Sequence, residues 1–286
     1  MATGHESATG DGSIRVPDRT LLLLRDLIAA QAGLHYDENR LHFMRDRLTP
    51  LAIARGFDSL LDYYYLLRYD AAAAQEWVHA IDALSVQETY FWREVDQVTA
   101  LVSDIVPALV ALGRRNVRIW SLACSTGEEP LSIAMALDQA GWFDRISVDL
   151  HASDASEAAL TRARAGRYGE RAFRQLPEAL RERYFSATGR NEWTVDPGLH
   201  RRVRSWTRVN AVQPETWGGV AHADVVFCRN LFIYFESATV ERVVRAFAER
   251  LGSPGYLCVA AAESLLRLST PFDLQTFGGA FIYVRS

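Results

Sequence analysis

The chain has no lysine: all 31 of its basic residues are arginines. That excludes a P-loop lysine, a kinase strand lysine and a Schiff-base lysine for pyridoxal phosphate. Cysteine is scarce, and Cys124, Cys228 and Cys258 stand alone with no CxxC spacing. Two of them end or interrupt apolar runs, where buried inert thiols are expected, and the pattern points to a reducing cytoplasm. The seven histidines are scattered without HExxH or paired spacing, so no metal site is expected. Long apolar runs are missing too. Leu21-Leu22-Leu23-Leu24 meets Arg25 and Asp26 far short of a membrane span, so no membrane insertion is expected. Met1–Ser13 is rich in Gly, Ser and Thr and lacks the apolar core of a signal peptide, so residues 1–16 read as a disordered tail. With a formal net charge of −4, a nucleic-acid partner has no global electrostatic support.

What is present is ordinary globular composition, with 49% hydrophobic and 23% charged residues, and the 286 residues suit either one large domain or a catalytic domain plus a small helical one. Residues 17–84 read as helical throughout. Pro17-Asp18 starts a helix that Gly33 ends, and a second runs from Glu38 to Arg55, with Pro50 a possible kink. Arg40, Arg47 and Arg55 recur near whole turns of that second helix, as either a solvated face or a docking stripe for an acidic partner. Asp58 is expected to cap a tyrosine-rich helix through Tyr69, and Ala71–Leu84 to form another with Trp77, Val78 and Ile81 on its apolar side. Residues 85–112 read as a linker and a connecting helix. Within them, Tyr90-Phe91-Trp92 cannot share one helix face, so they either fill a junction or wall a pocket.

The centre of the chain is Trp120-Ser121-Leu122-Ala123-Cys124-Ser125-Thr126-Gly127-Glu128-Glu129-Pro130, between a β-branched strand and an alanine-rich helix. Strand, small-residue turn and helix open a nucleotide-type α/β fold, in which ligands sit at the carboxyl ends of strands. The turn is no GxGxxG. Its glycine precedes two carboxylates, which repel phosphates but suit the ammonium and sulfonium of S-adenosylmethionine. The competing reading is an acidic helix N-terminus that only complements the helix dipole. Ser147–Ala152 reads as the second strand and ends at Asp154, positioned to accept from ribose hydroxyls or to cap the helix from Ser156. Further on come loop and short helix (Gly166–Tyr184), an antiparallel meander inserted at 186–204, strands at 206–210 and 223–228, a helix at 237–251, a strand at 256–260 and a terminal hairpin.

Five blocks together resemble the chemotaxis receptor methyltransferases of the CheR type. They are Glu88-Thr89-Tyr90-Phe91-Trp92-Arg93-Glu94, Ala123–Pro130, Ser153-Asp154, Phe227-Cys228-Arg229-Asn230-Leu231-Phe232-Ile233-Tyr234-Phe235, and Glu263-Ser264-Leu265 with Phe277-Gly278-Gly279-Ala280-Phe281. The resemblance implies an α/β fold: a class I, Rossmann-like adenosylmethionine-dependent methyltransferase domain at 113–286 with an inserted antiparallel β-subdomain, after an all-α domain. It implies S-adenosylmethionine as cofactor and methylation of glutamate side chains on cytoplasmic helices of chemoreceptors, by a cytoplasmic monomer. Thr89, Arg93, Glu129, Asp154, Asn210, Ala211, Arg229 and Asn230 are then expected at the cofactor, with Gln87 where many members have Asn. Arg93 and Tyr234 are expected beside the methyl acceptor. A non-catalytic signalling module and a nucleic-acid methyltransferase are the rival classes. The latter usually carries an Asn/Asp-Pro-Pro-aromatic loop where this chain has Arg229-Asn230-Leu231-Phe232. Some members grip a receptor's C-terminal peptide with a Gly-x-Gly in the meander. Here that stretch is Ala187–Glu192 with one glycine, so independence from such a tether is expected.

Overall fold

The computed structural model describes residues 18–285, so the expected tail at 1–16 and Pro17 lie outside the described residues. These residues form two compact units, one of residues 18–28 with Tyr36–Leu84, the other of Ala29–His35 with residues 85–285. The first unit opens with the residues of α1 (Asp18–Ala32) up to Ile28, in which Leu21, Leu24, Leu27 and Ile28 are buried at helical spacing. A 3-10 turn, Glu38–Arg40, capped by the Asp37 carboxylate, leads into α2 (Leu41–Ala54), which runs unbroken through Pro50. The next helix, α3 (Leu60–Tyr69), is capped by Ser59, whose hydroxyl accepts from Asp62 N, and not by Asp58. Serine at that position has the extended backbone that a cap needs.

The buried face of α4 (Ala73–Leu84) also differs from expectation. Glu76 is buried there with Ala80, Ile81 and Leu84, while Trp77 and Val78 are half-buried. Three donors compensate this carboxylate: Tyr63 Oη at 2.8 Å, Arg55 Nε at 2.7 Å and His79 Nδ1 at 3.4 Å. Burial alone would raise its pKa, but the bonds outweigh it and hold Glu76 below the ordinary carboxylate range.

The second unit carries a continuous helical run in three parts: α5 (Val95–Ala100), a π-turn (Leu101–Ile105) and α6 (Val106–Ala111). Pro107 has no N–H to offer a carbonyl one π-turn back, and Trp142 Nε1 supplies the donor instead, to Val102 O at 2.9 Å. The main sheet is built on β1 (Asn116–Leu122), followed by α7 (Glu128–Gln139), β2 (Ser147–Asp154) and α8 (Glu157–Ala165). A small antiparallel sheet comes next, with β3 (Arg167–Gly169), α9 (Glu178–Tyr184), β4 (Phe185–Gly189) and β5 (Glu192–Val195). It starts earlier and ends earlier than the expected meander at 186–204. After α10 (Pro197–His200), Val203 already belongs to the main sheet through β6 (Val203–Arg208), where the sequence suggested 206–210. Two-residue packing against β2 decides this, since Val203 pairs with Leu150 and is buried.

The main sheet is completed by β7 (Val225–Cys228), α11 (Ser237–Arg250), β8 (Gly255–Cys258) and the hairpin β9 (Asp273–Phe277) with β10 (Ala280–Arg285). The spatial order is β6-β2-β1-β7-β8-β10-β9, with β6 to β8 parallel and β10 antiparallel to both neighbours. Both faces of the sheet are covered. Val117 and Ile119 of β1 and Val225 and Phe227 of β7 enter the core with α7, while Trp120, Leu122, Val226 and Cys228 enter the core with α11. The order reverses between β1 and β7, which opens a crevice at the carboxyl ends of these strands. In the small sheet β4 is an outer strand with Ser186–Gly189 exposed, so an open edge exists despite the single glycine.

Candidate functional site

Three tight backbone segments converge on that crevice, and each holds residues in the left-handed region. Trp92 (φ 67°) and Glu94 (φ 47°) lie in the first, Ala123 (φ 61°) and Ser125 (φ 50°) in the second, and Asn230 (φ 60°) in the third. Among the described non-glycine residues only Asn191, in the β4–β5 turn, shares this conformation. Such positions cost on the order of 1 kcal/mol each and persist where surrounding bonds over-determine them.

The bonds are present. In the turn after β1, Cys124 N donates to Ser153 O at 2.9 Å and Ser125 N to Asp154 Oδ2 at 2.8 Å. Gly127, at φ 99°, admits close neighbours: a Cβ there would stand 3.0 Å from the Trp206 ring and 3.1 Å from Tyr168 Oη. Asp154 also accepts from Ser156 N at 2.8 Å, while Ser156 itself caps α8 through Ala159 N. The helix-cap role thus falls to Ser156, and Asp154 is fixed at the end of β2, facing the turn. Gln87 joins the same turn, where its Oε1 accepts from Ser125 Oγ at 2.6 Å.

Glu129, in the first turn of α7, accepts from Ser121 Oγ at 2.6 Å and from Arg229 Nε at 2.7 Å. Arg229 is 6% exposed, and its Nη1 donates to Arg93 O (3.0 Å) and Glu94 O (3.2 Å). Burial works against its charge, but Glu129 more than offsets it and raises its pKa above the ordinary arginine value. This arginine therefore ties the Trp92–Glu94 turn to Glu129, a larger structural share than the sequence assigned it. Glu128 is 4% exposed, and burial pushes its carboxyl up to about 7, moderated by the Thr126 hydroxyl and by Arg174.

Arg93 is half-buried, donates Nη1 to Glu88 O at 2.8 Å and lies 5.4 Å from the Tyr90 ring centroid. Thr89 is half-buried in the same segment. The three aromatics divide. Phe91 is fully buried against Tyr168, Phe173 and Phe185 at 4.8, 5.3 and 4.9 Å and so fills a junction, which leaves Tyr90 and Trp92 half-buried. Asn210 accepts from Val212 N and donates to Gln31 O at 2.7 Å, with the Ala211 methyl buried beside it in sequence. Tyr234 ends the 3-10 turn Phe232–Tyr234, and its carbonyl accepts from His35 N at 2.8 Å.

One residue that sequence reasoning left without a role organises the third segment. Glu263 is 5% exposed and accepts from Asn230 N at 2.7 Å, Ala260 N at 2.9 Å and Ile233 N at 3.2 Å. It thereby holds the ends of β7 and β8 together and fixes the loop that carries Arg229, Asn230 and Tyr234. Its presence in a short motif was the only signal. Arg174 was missed entirely, because no spacing in the sequence links it to Glu88 and Tyr90. In the first unit, Arg40 and Arg47 are exposed, with Arg47 5.0 Å from the Phe43 ring centroid. Arg55 does not join them as a free cation, since it is committed to Glu76.

A half-buried carboxylate in the first turn of α7 and a buried one at the end of β2, beside a glycine turn with no phosphate cradle, suit a ligand with a positive centre and hydroxyls. A carboxylate has about four acceptor directions, and Glu129 spends one per oxygen on Ser121 and Arg229, so an ammonium can still be received. Sheet, crevice and donor set define an adenosylmethionine-dependent methyltransferase. Residues 87–277 match the family CheR methyltransferase, SAM binding domain, and residues 19–85 match CheR methyltransferase, all-alpha domain. The chain belongs to the CheR methyltransferase family. It is 30% identical over 92% of its length to chemotaxis protein methyltransferase 2 of Vibrio cholerae, of which 92% is covered. It is also 30% identical to chemotaxis protein methyltransferase 1 of Pseudomonas aeruginosa, over 91% of this chain and 96% of that one. Among solved structures, magnesium protoporphyrin IX methyltransferase of Synechocystis PCC 6803 with bound SAM aligns over 78% of this chain and 94% of its own. That alignment has 15% sequence identity and a TM-score of 0.34.

Proposed function

We propose that this methyltransferase esterifies glutamate side chains on the cytoplasmic helices of a chemoreceptor, working as a monomer in the cytoplasm. The observation that supports the reading is the meeting of three segments with left-handed residues: Asp154 is bonded to the turn after β1, and Glu129 to Arg229, whose Nη1 reaches the Arg93 backbone. No described helix is long and apolar enough to cross a membrane.

In this scheme Asp154 holds the ribose hydroxyls and Glu129 the ammonium, while Gln87, Thr89, Asn210, Ala211 and Asn230 line the remaining cofactor surface. When bound, S-adenosylmethionine supplies a methyl group activated by its sulfonium. The chain's own task is alignment, because a glutamate acceptor is already ionised near neutral pH and needs no strong base. Arg93 offers a planar fork to the acceptor carboxylate. The Tyr234 hydroxyl steers one carboxylate oxygen, and the Tyr90 and Trp92 rings exclude water. Arg229 acts mainly by fixing Arg93 through the backbone.

The test is incubation with labelled adenosylmethionine and a receptor cytoplasmic domain, followed by mild alkali. Release of labelled methanol is expected, and base-stable label would refute a carboxyl ester.

A further inference from the structure

One cation beside the site has no part in this scheme. Arg174 follows the 3-10 turn Glu170–Phe173, and its guanidinium carbon stands 3.6 Å from the centroid of the Tyr90 ring. The same ring lies 5.4 Å from the guanidinium of Arg93. Two arginines thus share one phenol. Glu88 serves both, giving its backbone carbonyl to Arg93 Nη1 at 2.8 Å and its carboxylate to Arg174 Nη2 at 2.5 Å. Arg174 also acts electrostatically on Glu128 in the glycine turn, as does Glu88, so both belong to the surroundings of the crevice.

The Glu88 carboxylate is 59% exposed and the Arg174 side chain 37%. Pairs this open to water contribute little net stability, so exchanging one carboxylate for another there is close to neutral. The guanidinium, in contrast, is held independently of Glu88. It rests on the Tyr90 ring and donates Nη1 to Arg171 O at 3.1 Å. With Glu88 displaced, these two contacts would still hold the guanidinium in place.

We propose that Arg174 docks a second carboxylate of the acceptor helix, and that Glu88 is an internal stand-in which the substrate displaces. The inference rests on the reading that the acceptor is a glutamate-bearing helix. Arg93 then takes the reacting carboxylate and Arg174 a neighbouring acidic side chain, so that methylation selects glutamates in acidic surroundings. Arg174 is a specificity-determining residue and contacts no reacting atom.

The two partners of the pair give opposite signs. Steady-state methylation of a receptor cytoplasmic domain is to be measured for the parent, Arg174→Gln, Arg174→Lys, Glu88→Gln and the double variant. Arg174→Gln is expected to raise the receptor KM by about threefold to tenfold, with kcat and adenosylmethionine affinity unchanged. Arg174→Lys should recover part of that loss. Glu88→Gln should lower the receptor KM, because it removes a competitor, and should do nothing in the Arg174→Gln background. A merely structural pair predicts that Glu88→Gln impairs the enzyme as Arg174→Gln does, and that result overturns the proposal. Ester formation by the parent with unchanged KM in both Arg174→Gln and Glu88→Gln overturns it too, while leaving the glutamate reading intact. Failure of the parent to form alkali-labile ester removes both.

Discussion

Asp154 shows how a residue with two roles in sequence acquires one in structure. Its position before a helix suggested a cap, yet Ser156 takes that bond and Asp154 instead receives Ser125 N and Ser156 N. Asp154→Ala is therefore expected to weaken adenosylmethionine binding markedly in titration calorimetry while circular dichroism stays native. Unchanged affinity would remove Asp154 from the site. Glu128 gives a prediction in pH. Its folded-state pKa is raised to about 7 from 4.5 by burial, so between these values the folded protein keeps a proton that the unfolded chain has lost. Stability then falls as pH rises through this window, by at most about 3 kcal/mol, and the loss persists above it. Glu128→Gln should flatten that slope in urea titrations of the cofactor-free protein between pH 5 and about 8. An unaltered slope would mean that other groups carry it. Glu263 marks what residue-level reading could not reach. Its function lies in three backbone N–H groups that only the folded loops bring to it.

At the scale of elements, the β1 turn and the helix after it were legible because strand, glycine turn and helix are local patterns. The inserted sheet was placed only approximately. β3 is three residues long and pairs with β5 across a helix, so its strand character comes from a distant partner and not from its own pattern. The aromatic run at 90–92 reads in sequence as either junction or wall; Phe91 fills a junction, turned into the core, while Tyr90 lies against two arginines. The α2 arginines illustrate the reverse limit. Helical spacing put Arg55 with Arg40 and Arg47, but a buried Glu76 from α4 claims it. The docking stripe that the sequence offers as one reading accordingly narrows to Arg40 and Arg47, which we propose as contacts for the acidic receptor helices. Charge reversal at these two should raise the receptor KM and weaken its dependence on ionic strength, leaving cofactor affinity alone. Salt-independent kinetics in the parent would sink this docking face. β4 presents an open edge, so the expected independence from a receptor tether rests on the bulky Arg190-Asn191 turn and not on any closure of the sheet.

At the scale of the whole molecule, the doubly covered sheet carries at the carboxyl ends of its strands the three segments to which the proposed chemistry is assigned. The three cysteines are buried, and burial pushes each thiol up, away from the reactive thiolate form that a Cys-His pair would use. That fits a reaction in which the acceptor arrives ionised and the protein contributes position and dryness. The central claim is that the methyl group ends on a glutamate carboxylate held by the Arg93 fork. Peptide mapping by mass spectrometry of a receptor cytoplasmic domain, methylated in parallel by the parent and by Arg93→Lys, tests it most directly. The account predicts a methylene-mass increase confined to glutamates with the parent, and a loss on the order of a hundredfold with Arg93→Lys. Methylation of nitrogen or sulfur side chains, or equal glutamate methylation by both enzymes, would contradict it.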